Sequence, residues 1–100
     1  MNLLSNHQVL IHGYILDLTC FACPEQYDVF DQEGNQVAYF RLRHGTFRAE
    51  VPDVGGVTVY TAQPEGDGIF TKDERQKYLT EAILAVQKFY LNREWDKNEY

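Results

Sequence analysis

The chain is short of almost everything that nucleophilic catalysis and metal binding require. It has two cysteines, three histidines and one serine in 100 residues. The serine, Ser5, lies near the N-terminus outside any patterned segment, so a serine triad has no framework, and no local signature supports a cysteine one. Carboxylates are plentiful, yet no pair is set apart for acid–base work. A single domain of 100 residues also leaves little space for both a core and a deep pocket, so the expectation is a protein that is not an enzyme. No window approaches the roughly 18 consecutive apolar residues that a membrane-spanning helix needs. Met1-Asn2-Leu3-Leu4-Ser5-Asn6-His7 lacks the charged start and long apolar stretch of a secretory signal. Two cysteines without such a signal point to the reducing cytoplasm. Basic residues are scarce too: 9 Lys and Arg stand against 15 Asp and Glu, for a formal net charge of −6. That balance argues against direct nonspecific binding of nucleic acid and for a soluble protein or one that meets a basic partner surface.

Apolar and aromatic residues are present in quantity. Hydrophobic residues make up 44% of the chain and aromatics 14%, with seven Tyr and six Phe against one Met, a composition for a β-rich interior. Residues 1–100 read as one domain, able to bury roughly 65% of the surface of its unfolded chain. The segments 1–7 and 94–100 are expected to fray, leaving Trp95 and Tyr100 as lone aromatics in a polar tail.

Val9 to Leu18 is a nearly continuous apolar run and reads as one strand buried on both faces. Tyr27 to Asp31 and Val37 to Arg43 alternate around the turn-forming Gln32-Glu33-Gly34-Asn35. Thr46 to Val51 and Val57 to Ala62 follow, separated by Pro52-Asp53-Val54-Gly55-Gly56, and Ile69-Phe70 closes the strand-rich half. A helix is predicted over Lys72 to Arg93. Thr71 is placed to N-cap it, with Glu74 three residues later completing a capping box, and Asp73 also suits the positive first turn. Leu79, Ala82, Ile83, Val86 and Tyr90 recur at three and four, forming a single core-facing stripe that Phe89 widens. Strands followed by one long helix give an α+β fold: an antiparallel β-meander of four to five strands with the C-terminal helix across one face.

The central hairpin can be derived in register. With His44-Gly45 as a two-residue type I′ turn, Leu42 faces Phe47, Phe40 faces Ala49 and Ala38 faces Val51, all apolar. The other face then pairs Arg43 with Thr46, Arg41 with Arg48 and Tyr39 with Glu50. Two arginines directly opposite each other normally destabilise a ladder, and with Arg43 they form a basic patch on an acidic protein. Guanidinium forks suit phosphate and carboxylate, which makes Arg41, Arg43 and Arg48 a candidate anion or nucleic-acid site; the alternative is that Asp28 and Glu50 neutralise them as surface ion pairs.

Cys20-Phe21-Ala22-Cys23 admits three readings: turn-lining thiols, half of a structural zinc site, or a redox pair. Zinc takes four ligands, and His44 is the best third. The redox reading is weakest, because that chemistry wants the pair to open a helix, whereas Pro24 and a strand pattern follow. Glu65-Gly66-Asp67-Gly68 matches only a fragment of a calcium loop and reads as a turn before the helix.

The run Cys20 to Phe30, together with Tyr39-Phe40-Arg41-Leu42-Arg43-His44-Gly45 and Pro64-Glu65-Gly66-Asp67-Gly68, resembles small proteins encoded by bacteriophages and prophages. The resemblance spans roughly residues 12–90 and implies a setting in a host cytoplasm, with a host protein as partner, but no mechanism. The leading expectation is therefore a small acidic binding protein that blocks a host defence nuclease in the manner of an anti-CRISPR inhibitor. It would occlude a basic groove with Asp53, Glu65, Asp67, Asp73 and Glu74. The alternatives are a zinc-stabilised module through Cys20, Cys23 and His44, and an anion binder through the three arginines; no other cofactor is expected.

Overall fold

The computed structural model of the chain describes the backbone of residues 2–3, 7–21 and 24–98. Seven antiparallel strands follow one another across a single sheet in sequence order: β1 (Asn2–Leu3), β2 (Gln8–Ile11), β3 (Tyr14–Phe21), β4 (Glu25–Phe30), β5 (Gln36–Arg43), β6 (Thr46–Val51) and β7 (Val57–Ala62). One helix, α1 (Arg75–Asn98), follows and packs on β6 and β7. The α+β meander with a C-terminal helix is thus the fold, with more strands than four to five. No helix among the described residues is long and apolar enough to cross a membrane.

The extra strands have an identifiable origin. The apolar run from Val9 to Leu18 is a hairpin, not one strand, turning at His12-Gly13 with φ of +50° and +84°. His44-Gly45 makes the same turn with φ of +53° and +76°. Both residues of a type I′ turn sit at positive φ, which glycine adopts freely and histidine more readily than most residues. The run looked continuous because both faces of this hairpin are apolar. Val9 pairs with Leu16 on the core side, while Leu10 pairs with Ile15 and Ile15 with Phe30 on the other. At the N-terminus, Asn2 and Leu3 pair with Leu10 and Val9, and α1 continues five residues beyond Arg93.

The core lies between α1 and one sheet face. Leu16, Val29, Ala38, Phe40, Leu42, Phe47 and Ala49 from the sheet meet Leu79, Ala82, Ile83 and Val86 from the helix, all fully buried. Phe47 is the hub of an edge-to-face aromatic cluster, with ring centroids 4.9 Å from Phe70, 5.7 Å from Phe40 and 6.0 Å from Tyr60. Tyr60 donates a short hydrogen bond to Glu81 and Tyr90 donates one to the Val37 carbonyl (2.7 Å), fixing the helix along its length. Ile69-Phe70 is not a strand: Phe70 is a buried plug that caps Phe47.

The core side carries one charge. Glu25 opens β4 at 2% exposure, opposite Leu42. Its carboxylate accepts from Arg75 Nε (2.9 Å) and Nη2 (3.1 Å), from the Phe70 amide (3.1 Å) and from the Tyr27 hydroxyl (2.5 Å). Arg75 Nη2 also donates to the Phe70 carbonyl at 3.3 Å. Burial and this carboxylate push the Tyr27 hydroxyl pKa far up, and the same hydrogen bonds raise that of Arg75. A bidentate fork with every remaining lone pair occupied is the geometry in which a buried pair recovers its desolvation cost. Glu25→Ala would leave Arg75, Phe70 and Tyr27 without their acceptor, so urea unfolding should show a loss of about 3 kcal/mol. A loss below about 1 kcal/mol, the range of an exposed pair, would contradict the role given to it.

Candidate functional site

α1 covers one face of the sheet; among the described residues no helix packs on the other, where Tyr39 and Glu50 are nonetheless buried and the side chains fall into rows. One row crosses β3 to β7 as Asp17, Asp28, Tyr39, Glu50 and Thr58. The next crosses as Cys20, Gln26, Arg41, Arg48 and Thr61, with Arg43 opposite Thr46 beyond it. Bulges between Leu18 and Cys20 and between Ala49 and Glu50 set which residues share a row.

The expected hairpin register is present pair for pair from Tyr39–Glu50 to Arg43–Thr46, so Arg41 and Arg48 do oppose each other. Beyond it, Ala38 and Val51 are both buried, with Ala38 paired to Val29. Arg41, Arg43 and Arg48 line an open cleft of about 330 Å³ with His44 and Thr46. Arg43 and Arg48 are exposed and Arg41 is half-buried. Among the described residues none of the three makes an ion pair. They are also the only basic residues before Lys72, so the positive charge of the sheet is gathered in this one place.

The carboxylates that could have neutralised the arginines are held elsewhere. Asp28 accepts from Gln36 Nε2 at 3.3 Å and Glu50 from the Gly55 amide at 3.4 Å. Burial, then the neighbouring charges of Asp53 and Asp17, raise the Asp28 pKa. Tyr39, 8% exposed, stands between the acidic and basic rows. Burial raises its hydroxyl pKa while Arg41 works against that rise.

The five acidic residues expected to form one occluding surface are divided. Asp53 sits in the turn after β6, accepting from the Val54 amide (2.7 Å) and Gln36 Nε2 (3.0 Å). Glu65, Asp67 and Asp73 lie exposed at the far end of β7, and a six-residue strand separates the two groups by about 20 Å. Asp67 and Gly68 line a second cleft of about 280 Å³ with Arg43 and His44. Glu74 is occupied structurally. Its carboxylate accepts from the amides of Thr71 (2.9 Å), Gly66 (2.8 Å) and Glu65 (2.9 Å), which is the glutamate half of the expected capping box and ties the preceding loop to the helix. α1 itself starts at Arg75, so Asp73 and Glu74 precede its first turn. Only glycine fits at 66, where a Cβ would lie 1.9 Å from the Ile69 carbonyl oxygen. Burial pushes the Glu74 carboxyl up, but the three amides outweigh it and hold its pKa below the usual range.

Of the candidate metal ligands, Cys23 lies outside the described residues. Cys20 is on β3 and His44 follows β5, two strand spacings or about 10 Å apart across the sheet. A zinc ion reaches its ligands at only about 2.0–2.3 Å, so the structure does not bring these two together. Among the described residues no three His, Cys, Asp or Glu side chains form a group that could hold a metal. No family model, curated protein or solved structure matches the chain.

Two outcomes follow. Because the Glu74 pKa is depressed in the fold, its contribution is complete above the ordinary carboxylate pKa of about 4.3 and is lost as pH falls through the lower folded value. Unfolding free energies of wild type and Glu74→Gln, measured from neutral pH downward, should therefore converge in acid; a constant gap would contradict the latch. Arg48→Gln should relieve the cross-strand repulsion and stabilise the fold by about 0.5 kcal/mol at low salt. That gain should vanish in about 0.5 M salt, where screening acts within a few ångströms.

Proposed function

We propose that the chain is a non-enzymatic binding domain that grips an anionic group of its partner through Arg41, Arg43 and Arg48. The observation that carries this reading is the opposition of Arg41 and Arg48 on an uncovered sheet face, with neither paired to a carboxylate among the described residues. A like-charge pair of this kind works against the ladder it sits in. Its cost is offset when an anion bridges the two forks, each of which carries donors spaced for phosphate or carboxylate. The likeness to phage-encoded chains is what supports a host protein as the partner and a host cytoplasm as the place. The occlusion of a host nuclease by the acidic residues has less support, since Asp53 stands apart and Glu74 is engaged within the fold.

The test is an NMR titration with inorganic phosphate at low salt. Amide shifts should concentrate on residues 41–48, and Arg48→Ala should weaken the apparent affinity about tenfold, the worth of one charge-assisted hydrogen bond. Shifts scattered over the surface, or unchanged in a variant lacking all three arginines, would remove the reading.

A further inference from the structure

We infer that the arginine site receives a single phosphomonoester dianion carried on a partner protein, a phosphorylated side chain, and that its acidic margins turn away extended polyanions. This rests on the reading of the arginines as an anion site and adds the size and source of the anion.

Size follows from the ladder. Directly opposed Cβ atoms stand about 5 Å apart and residues two apart on a strand about 7 Å, and the three arginines line one cleft, so a single small anion seated there is within reach of all three side chains. Across the strands the row ends in Gln26 and Cys20 on one side and Thr61 on the other, with no further cation. Along the strands it is bounded by carboxylates. Asp17, Asp28 and Glu50 occupy the adjoining row, and Gln36 bridges Asp28 to Asp53 behind it. On the other side Asp67 lines the cleft it shares with Arg43 and His44. A polymer running along the strands would set its next phosphate about 7 Å away against these acids, inside the Debye length of about 8 Å.

Source follows from the lining. Arg41, Arg43, His44, Thr46 and Arg48 bring charge, a hydroxyl and one exposed imidazole but no aliphatic wall, and the cleft is open. A free phosphorylated small molecule needs a concave, largely apolar enclosure for the rest of its structure. A phosphate projecting from a protein surface needs only the donors.

Fluorescence and calorimetric titrations of the full chain decide this with five probes: a phosphoserine peptide with neutral flanks, its unphosphorylated form, inorganic phosphate, adenosine monophosphate and single-stranded DNA. The phosphopeptide should bind at least about tenfold tighter than its unphosphorylated form, the difference expected of a charge-assisted contact. Its affinity should fall with salt at a slope no steeper than about 2, as for one dianion. Arg48→Lys should weaken it several-fold, because lysine keeps the charge and loses the fork; circular dichroism and the thermal midpoint of that variant establish that it is folded. DNA binding tighter than the phosphopeptide, with a slope above about 3, would overturn the inference in favour of nucleic acid. Equal binding of adenosine monophosphate or inorganic phosphate would overturn it in favour of a free anion. In both cases the anion site itself stands, whereas failure of every phosphorylated probe removes that site as well.

Discussion

The carboxylate of Glu25 joins three parts of the chain at one buried point. Through the Arg75 fork it fixes the first turn of α1, through the Phe70 amide it fixes the loop that plugs the aromatic cluster, and through Tyr27 it ties both to β4. Its own amide donates to the Gly68 carbonyl at 2.8 Å, so the same residue clamps that loop twice. The apolar stripe of α1 selects the apolar sheet face, but apolar contact alone is non-directional and leaves several angles open. A buried charge with one satisfied geometry removes those options, since any other placement of Arg75 would leave a carboxylate desolvated and unpaired. Glu74, one residue earlier, closes the same loop from the outside. Adjacent glutamate and arginine thus anchor the helix start, one by backbone amides and one by a buried ion pair.

The apolar stripe and that anchor together set how α1 lies on the sheet. Once α1 covers the side that carries Phe40, Phe47 and Leu42, no helix among the described residues packs over Arg41, Arg43 and Arg48. The hairpin alternation then does the rest. Near the turn, the core residues Phe40, Leu42 and Phe47 alternate with Arg41, Arg43 and Arg48 on the opposite face, so the apolar pattern that makes the strands also delivers the arginines to one patch, whereas Tyr39 and Glu50 further along that face are buried. The site is a by-product of register, and a slip of one residue in β6 would bury Arg48 and expose Phe47.

Register is also where the sequence was most legible. The His44-Gly45 turn and the apolar residues Leu42, Phe40, Phe47 and Ala49 admit one pairing, and the arginine opposition follows from it without further assumption. The same dipeptide at His12-Gly13 went unread because Leu10 and Ile15 fill outward positions with apolar side chains, which erases the period-two signal. Glu25 was legible in principle: Tyr27 and Val29 face the core, so the residue two before Tyr27 must as well. A charged residue at an inward position two residues into a turn region does not announce its partner, and Arg75 lies 50 residues away. The acidic row was hidden for another reason. Asp17 meets Asp28 only through the β3–β4 ladder, whose register shifts at a bulge that no local residue pattern marks.

The charge layout constrains how a partner is met as well as what it carries. Beyond a Debye length of about 8 Å screening mutes the field, and what remains of it is that of a net charge of −6, which does not attract an anion. Only inside that distance do three arginines dominate over the carboxylates around them. Association is therefore unassisted by long-range steering, and discrimination comes at contact, from fork geometry and from the acids that border the site. A strongly basic protein with the same three arginines would collect any polyanion and gain rate at the expense of choice. Under the proposed reading the surrounding acidity would act as the repulsive half of specificity, favouring a compact dianion on a surface that is otherwise neutral or basic.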